Sequence, residues 1–415
     1  MRIAIVGSGV SGLVAAYRLR AAHDVVVFEA APRAGGHAHT VRVEHEGRVV
    51  DVDTGFIVFN RENYPRFSGL LDELGVASHP APMSFSVRNE RTGLEYAGGS
   101  FAALFAQRRN LFRPSFHAMI RGVLRFNREA PADAERLPPE MTIGQYLGTR
   151  AYPSRFAEDF LLPMGGAIWS ASAARAAEIP LRFFVRFFDQ HGMLRVRGQP
   201  QWYTITGGSR RYVEAIVARL GGRVQLGRAV RQIVRDDRGV TVWHGPAAGA
   251  TVERFDWVVL ACHSDQALAL LADPSPYERD VLSAIRYRAN DCALHWDRTL
   301  LPRRARAWAA WNYRVPRGDA AAVTVTYNLS ILQSLGTREP LCVSVNLTDR
   351  IDPGKVYARM TYHHPVYDQR AIAAQRRWEE ISGWNRTCYC GAYWRHGFHE
   401  DGVWSAHRVT ERFMT

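Results

Sequence analysis

Lysine is almost missing from this chain. Lys355 is the only one among 53 basic residues, so the net charge of +13 is carried by arginine. Cysteine is scarce too. Cys262, Cys292, Cys342, Cys388 and Cys390 are odd in number and scattered, which excludes a disulfide framework and shows no metal-ligand spacing. Cys388-x-Cys390 puts two thiols on one face of an expected strand. They read as reduced core thiols, with a redox pair as the alternative. No run approaches the ~20 apolar residues of a membrane-spanning helix. No low-complexity tract or short-period repeat interrupts the 415 residues, and 47% hydrophobic content is that of a globular protein with one large core or two domains. The apolar start lacks a small-residue cleavage site and is broken by glycines, so it does not read as a signal peptide. The expected compartment is the cytoplasm. No nucleic-acid-binding motif accompanies the basic charge, so nucleic acid is not an expected partner.

What is present begins at once. Residues 1–30 read as an apolar strand, a glycine-rich turn, a helix and a second apolar strand ending on an acid. Gly7, Gly9 and Gly12 form G-x-G-x-x-G. The first permits the tight turn, the second lets backbone approach a pyrophosphate, and the third lets helix and strand pack closely. The helix N-terminus directs free N–H groups at the phosphates. Glu29, 17 residues after Gly12, is placed to accept hydrogen bonds from both ribose hydroxyls of an adenosine. That carboxylate disfavours a phosphorylated ribose by repulsion. These thirty residues do not separate NAD from FAD.

The next residues do. Arg33-Ala-Gly35-Gly36 adds a cation and more N–H groups, and Asp51-Val-Asp53-Thr54-Gly55-Phe56 follows a hairpin-like stretch. Near the far end stands Tyr389-Cys-Gly391, then Gly397-Phe-His399-Glu400-Asp401-Gly402-Val403-Trp-Ser405. Together these segments resemble the flavin-dependent amine oxidase superfamily, which includes monoamine oxidases, protoporphyrinogen oxidases and phytoene desaturases. The resemblance implies FAD, held without a covalent bond, because the cysteine that monoamine oxidases use lies well upstream of the closing glycine motif. It assigns to the cofactor Gly7, Gly9, Ser11, Gly12, Glu29, Ala30, Arg33, Gly35, Gly36 and His37. It adds Thr54, Gly55, Phe56, Val230 (through backbone at the adenine), Gly391, Glu400, Asp401, Gly402 and Val403. A closing helix over residues 403–413 would then direct its N-terminus at the flavin ring and favour the reduced anion.

The expected fold is a discontinuous Rossmann-like α/β cofactor domain (residues 1–65, 200–265 and 385–415) with an α+β substrate domain (residues 66–199 and 266–384) of antiparallel sheet and helical cap. Strands are expected over residues 224–234, 239–243, 255–261, 322–329 and 341–347. Two stretches alternate arginine with large apolar groups. One runs over residues 101–128 with Phe101, Leu104, Phe105, Leu111, Phe112, Phe116, Met119, Ile120, Val123, Leu124 and Phe126 against Arg108, Arg109, Arg113, Arg121, Arg125 and Arg128. The other is Leu181-Arg-Phe-Phe-Val-Arg-Phe-Phe188. Three readings stand: helices lying in an anionic membrane interface, ordinary amphipathic helices with arginines in water, or the lining of a tunnel for an apolar substrate.

Pro163-Met-Gly-Gly-Ala-Ile-Trp-Ser170, His363-His364-Pro365 and the Gly397–Gly402 run resemble a bacterial subgroup of FAD-binding oxidoreductases. Some of its members are linked to desaturation of methylated fatty acyl chains on the way to furan fatty acids. Many amine oxidases of the superfamily hold a water beside the flavin with a lysine. Here only Lys355 is available, in a turn-like segment, which weakens that reading. His295, His364 and His399 are the candidate bases, with Trp311, Tyr327 and Asn328 as candidate pocket lining. Three functions remain open: an FAD-dependent desaturase or oxidase of a lipid-like substrate with O2 or another acceptor, an oxidase of a small amine, and a flavin-holding lipid-associated protein without turnover.

Overall fold

The computed structural model describes residues 1–195, 198–246, 249–318 and 322–414. Its organising element is the strand Arg2–Val6, which lies at the centre of a five-stranded parallel sheet. Asp24–Phe28 and then Val224–Gln225 flank it on one side, Trp257–Leu260 and then Thr387–Tyr389 on the other. Both faces of this sheet are covered, which is why its strands are apolar without alternation. Ile3 and Ile5 face the helices Val10–Leu19, Pro65–Leu74, Arg210–Leu220 and His399–Glu411. Ala4 and Val6 face a three-stranded antiparallel sheet (Val230–Asp236, Gly239–His244, Thr251–Phe255) and the helices Ser264–Leu270 and Pro276–Ala284.

A second sheet of seven strands builds the other half. Its order is Val356–Pro365, Tyr287–His295, Cys342–Val345, Val325–Asn328, Trp311–Val315, Phe85–Asn89 and Leu94–Ala97. All neighbours run antiparallel except Trp311–Val315 and Phe85–Asn89. A helical layer made mainly of Pro114–Arg136, Ile143–Thr149, Leu162–Trp169 and Leu181–Gln190 lies beside it.

Several expectations need correction. Helix Pro65–Leu74 does not join the substrate unit, because Phe67, Leu70 and Leu71 are buried in the cofactor-side core. Residues 264–285 also pack on the parallel sheet, through Ala267, Leu271, Val281 and Leu282, as do Ala371, Ala374 and Ile381. The strand expected over 224–234 is two elements, one in the parallel sheet and one in the antiparallel sheet. The closing helix begins at His399, four residues earlier than expected, because the Asp401 carboxylate accepts the Phe398 N–H at 3.0 Å and nucleates the first turn there.

The aromatic helix Leu181–Gln190 is an ordinary amphipathic one. Phe184, Val185, Phe187 and Phe188 are fully buried. Arg182 instead donates to the Ala134 and Glu135 carbonyls, and Arg186 forks onto the Glu135 carboxylate at 3.0 and 3.2 Å. Each buried phenylalanine is worth about 1.5–3 kcal/mol of transfer free energy, which decides the orientation over the weak surface ion pairs. Tunnel and membrane readings both fall for this helix.

Candidate active site

The site starts at the C-terminal end of Arg2–Val6, where open α/β sheets bind their ligands. Gly7 turns the chain with φ +102°, a conformation other residues reach only at a cost. A Cβ on Gly12 would lie 1.9 Å from the Gly7 carbonyl oxygen, so helix and strand meet there with no room for a side chain. Nothing stands within 4 Å of the space in front of Gly9. The helix Val10–Leu19 starts there with no side-chain cap and no acid in its first turn, so its N–H groups face that space. The Arg33-x-Gly35-Gly36 turn folds back onto the same place. Gly35 donates to the Ser8 carbonyl at 2.9 Å, and a Cβ on Gly36 would stand 3.2 Å from the Gly9 Cα. Arg33 Nη1 and His37 Nε2 are buried with no hydrogen-bond partner. Buried polar atoms without partners are costly and mark a missing group.

Glu29 closes the second strand as expected. Its carboxylate accepts from the Ser8 N–H (2.9 Å), the Ser8 hydroxyl (2.6 Å) and the Ala31 N–H (2.8 Å), which ties the acid to the glycine turn on one side and to Ala31 on the other. Gly227 and Arg228 donate to the Ala31 and Glu29 carbonyls at 2.9 and 2.8 Å, bringing Val230 to the same edge.

A ring of imidazoles and phenols lies beyond the turns. His37 stacks loosely on Tyr362 (4.9 Å between centroids) and His364 (5.5 Å), with His263 at 6.4 Å. His263 lies flat on Tyr287 at 4.1 Å and 10°. Phe56 donates its N–H to the His37 carbonyl at 2.8 Å and stacks on His399 at 3.5 Å. Gly55 is forced by the same approach, since a Cβ there would meet the His37 oxygen at 2.2 Å. Thr54, His39 and Tyr362 share hydrogen bonds of 2.7 to 3.2 Å. The His399 ring meets the Tyr212 hydroxyl at 3.0 Å. Burial, with mutual repulsion among the imidazoles, pushes His37 and His263 down to about 4 and His364 to about 3. Burial also holds His399 well below the usual range. At neutral pH all four are uncharged, able to accept one proton or donate one hydrogen bond.

The closing-helix residues play parts other than those expected. Glu400 accepts from the Arg66 and Phe67 N–H groups at 3.2 and 2.9 Å and so caps Pro65–Leu74. Asp401 accepts from Phe398 and His396. Both carboxylates are spent on backbone donors: Glu400 on the start of Pro65–Leu74, Asp401 on the start of the closing helix. A Cβ on Gly402 would meet Val10 at 2.6 Å and Ser11 at 2.9 Å, so Gly402 and Ser11 are a helix–helix contact. Val403 is buried, and Gly391 donates to the Ser405 hydroxyl at 2.7 Å. Cys388 and Cys390 are buried thiols whose pKa burial raises.

His295 does not join the ring. It ends the strand that Tyr287 begins, roughly 26 Å away at ~3.3 Å per residue. Its two ring nitrogens are used by the Ser344 hydroxyl (2.8 Å) and the Asp297 N–H (3.0 Å), a structural arrangement. Trp311 and Tyr327 do pair, edge to face at 5.1 Å, and the Trp311 Nε1 is buried without a partner. Asn328 caps a short helix instead. Sequence reasoning missed His39, His263, Tyr287, Tyr212 and Tyr362. A signal existed only for His263, which follows the expected strand at 255–261 and thus stands at the C-terminal end of a parallel strand.

The sequence profile of flavin containing amine oxidoreductases matches residues 10–331. The chain belongs to that family. It is therefore an FAD-dependent oxidoreductase, and the reading as a flavin holder without turnover is set aside. A Mycobacterium tuberculosis protein named "putative flavin-containing monoamine oxidase" is 28% identical over 353 residues, spanning 79% of this chain and 70% of that one. Among solved structures, the CLA-producing fatty acid isomerase of P. acnes superposes with TM-score 0.70 at 16% identity, over 100% of this chain and 99% of the other. Cyclohexylamine oxidase of Brevibacterium oxydans does so with TM-score 0.68 at 15% identity, over 100% and 99%. The orphaned polar atoms of Arg33 and His37, the free first turn of Val10–Leu19 and the open space at Gly9 fit the FAD pyrophosphate this family carries.

The histidines make the apoprotein acid-sensitive. Their folded pKa values lie below the unfolded value of about 6.5, so the unfolded chain takes up their protons first as pH falls. Stability should drop between pH 6.5 and 4, by about 1 kcal/mol per pH unit for each histidine concerned. Asp53 and Asp401, which burial raises to about 6, act in the opposite sense but are fewer. Urea unfolding of apoprotein at several pH values should therefore give a falling midpoint. A midpoint that stays level from pH 7 to 5 would contradict the neutral ring.

Proposed function

We propose that the chain removes a hydride and a proton from a lipid-like substrate in the cytoplasm, with desaturation of a methylated fatty acyl chain as the specific reaction and O2 as the acceptor. The position of Lys355 carries this reading. The sole lysine is held by Asp297 and Asp352 (3.8 Å each) and lies over the Trp296 ring at 5.2 Å. It adjoins His295, whose strand neighbour is Val356, at the end of the substrate sheet remote from the histidine ring. A lysine-held water beside the flavin, the device that the resemblance to amine oxidases implies, has no side chain here to hold it.

Bound FAD supplies a two-electron acceptor for hydride. The chain's own residues hold the dinucleotide through Arg33, the Val10–Leu19 N-terminus and Glu29. They wall the site with Phe56, Tyr287 and Tyr362, which keep water from the reacting carbon. His364 and His399 are neutral and able to take the substrate proton. The name of the fatty acid isomerase that shares the fold agrees with an acyl substrate. A second reading, oxidation of a small amine, is favoured by the name of the mycobacterial relative.

Anaerobic titration separates the two. A methyl-branched acyl lipid should bleach the flavin absorbance near ~450 nm, while a panel of primary amines should not. Bleaching by an amine alone would overturn the proposal. Lys355→Met should change the rate of flavin reduction by less than about twofold. A loss of about a hundredfold, the scale of a removed acid–base group, would instead place Lys355 in the reaction.

A further inference from the structure

The stretch over residues 101–128 divides: Phe116, Met119 and Phe126 are buried, but its N-terminal part has a different fate from Leu181–Gln190. Phe112 is 87% exposed and Phe101 71%, with Leu111 also in solvent. Folding has buried none of these, although leaving a phenylalanine in water forfeits its transfer energy. Beside them is an open hollow of about 590 Å³ whose lining includes Arg108, Arg109, Arg303, Arg304 and Arg306. The short helix Phe101–Leu104 packs against the turn Ala305–Ala307, so rings and guanidiniums from two distant parts of the chain share one face. Among the described residues, none of the five arginines makes an ion pair with an acid. Arg109 donates to the Gly93 carbonyl at 3.0 Å. Glu95 beneath them is spent on the Arg303 and Arg304 backbone N–H groups (3.1 and 3.2 Å) and on Arg88.

Five unpaired guanidiniums around one hollow repel each other, so the arrangement is relieved by an anionic partner. The exposed Leu111 decides which. Aliphatic side chains gain nothing from a phosphate polymer such as nucleic acid, but they gain transfer free energy with every CH2 buried in hydrocarbon. We infer that this face docks on an anionic phospholipid bilayer, the arginines seating lipid phosphates while Phe101, Leu111 and Phe112 enter the acyl boundary. No helix among the described residues is long and apolar enough to cross a membrane, so the contact lies in the plane of the interface. The inference does not rest on the substrate reading, since an amine oxidase would dock equally well.

The test is co-sedimentation of the holoenzyme with vesicles of phosphatidylglycerol and phosphatidylcholine against vesicles of phosphatidylcholine alone. Binding is expected only to the anionic vesicles, falling steeply with salt. Arg304→Gln and Arg306→Gln should each weaken it about fivefold. Phe112→Ser should weaken it by about tenfold or more while leaving flavin absorbance and turnover of a soluble substrate unchanged. Equal binding to both vesicle types, no binding at low salt, or indifference to the arginine variants would overturn the inference. So would tighter binding to heparin or RNA that Phe112→Ser leaves intact, which would mark a polyanion site instead.

Discussion

Gly12→Ala is expected to yield a folded but colourless protein. The added Cβ would lie 1.9 Å from the Gly7 carbonyl oxygen, which is backbone and cannot swing away as a side chain would. Either the helix Val10–Leu19 moves off the strand or the turn opens. In both cases the N–H groups of the first helical turn leave the pyrophosphate position. Each charge-assisted hydrogen bond lost is worth about 1.5–3 kcal/mol, so losing two weakens FAD binding by about a hundredfold or more. Gly69→Ala is the control. It lies in the helix Pro65–Leu74, and no atom would be met within 4 Å of the new Cβ. That variant should bind flavin normally and gain about 0.5–1 kcal/mol of stability from the helix preference of alanine. Absorbance near ~450 nm and flavin titration of the apoprotein read the difference, with circular dichroism reporting the fold. A yellow Gly12→Ala protein of unchanged affinity would refute the close-approach argument.

The reason this turn was legible from sequence is that everything in it is local. Strand, glycines, helix and acid fall within thirty residues, and each has its own local signal. The histidine ring has no such economy. His37 comes from the second glycine turn, His263 from the end of a strand two hundred residues later, His364 from an antiparallel strand and His399 from the closing helix. Only the strand order of two sheets brings them together, and no local pattern encodes strand order. His295 failed as a candidate for the same reason: it alternates on a strand as a pocket residue would, but at the wrong end. Glu400 and Asp401 were read by position relative to a glycine. The Asp401 partners, the N–H groups of His396 and Phe398, follow from local capping rules, whereas Glu400 caps the distant helix Pro65–Leu74, which only the tertiary fold brings near. The two arginine–phenylalanine stretches show the limit most clearly. Their compositions are alike, yet Leu181–Gln190 buries its phenylalanines together, whereas residues 101–128 bury Phe116, Met119 and Phe126 and leave Phe101 and Phe112 in solvent, and no local pattern separates the two outcomes.

The largest stability effect is expected at Glu278, far from the flavin space. Its side chain and that of Arg235 are each 2% exposed. The pair is bidentate, at 2.6 and 3.0 Å, and the Tyr389 hydroxyl donates to the same carboxylate at 2.5 Å. The Ser275 N–H donates to it at 2.7 Å, so the acid also starts the helix Pro276–Ala284. Burial alone would raise the Glu278 pKa, but the bonds from Arg235 and Tyr389 hold it below the usual carboxylate range. Glu278→Ala leaves the buried guanidinium without its bidentate carboxylate, held only by the half-exposed Asp273 carboxylate (3.2 Å), the Asp273 carbonyl (2.9 Å) and the Thr387 hydroxyl (3.2 Å). Removing one partner of such a pair costs about 3–5 kcal/mol, whereas replacing both by apolar groups is close to neutral. Urea unfolding of Glu278→Ala should therefore show a loss of that size, and Arg235→Met with Glu278→Leu should recover most of it. The effect reaches the active site through Tyr389, whose strand pairs with Trp257–Leu260, the strand that leads to His263. Flavin affinity should consequently fall in the single variant and return in the double one. A single variant that loses less than about 1 kcal/mol would show that water, or Asp273, already compensates Arg235. Because the folded pKa of Glu278 is depressed, its contribution is full above the unfolded carboxylate value. It is lost as pH falls through the folded one, so the gap between wild type and Glu278→Ala should narrow in acid.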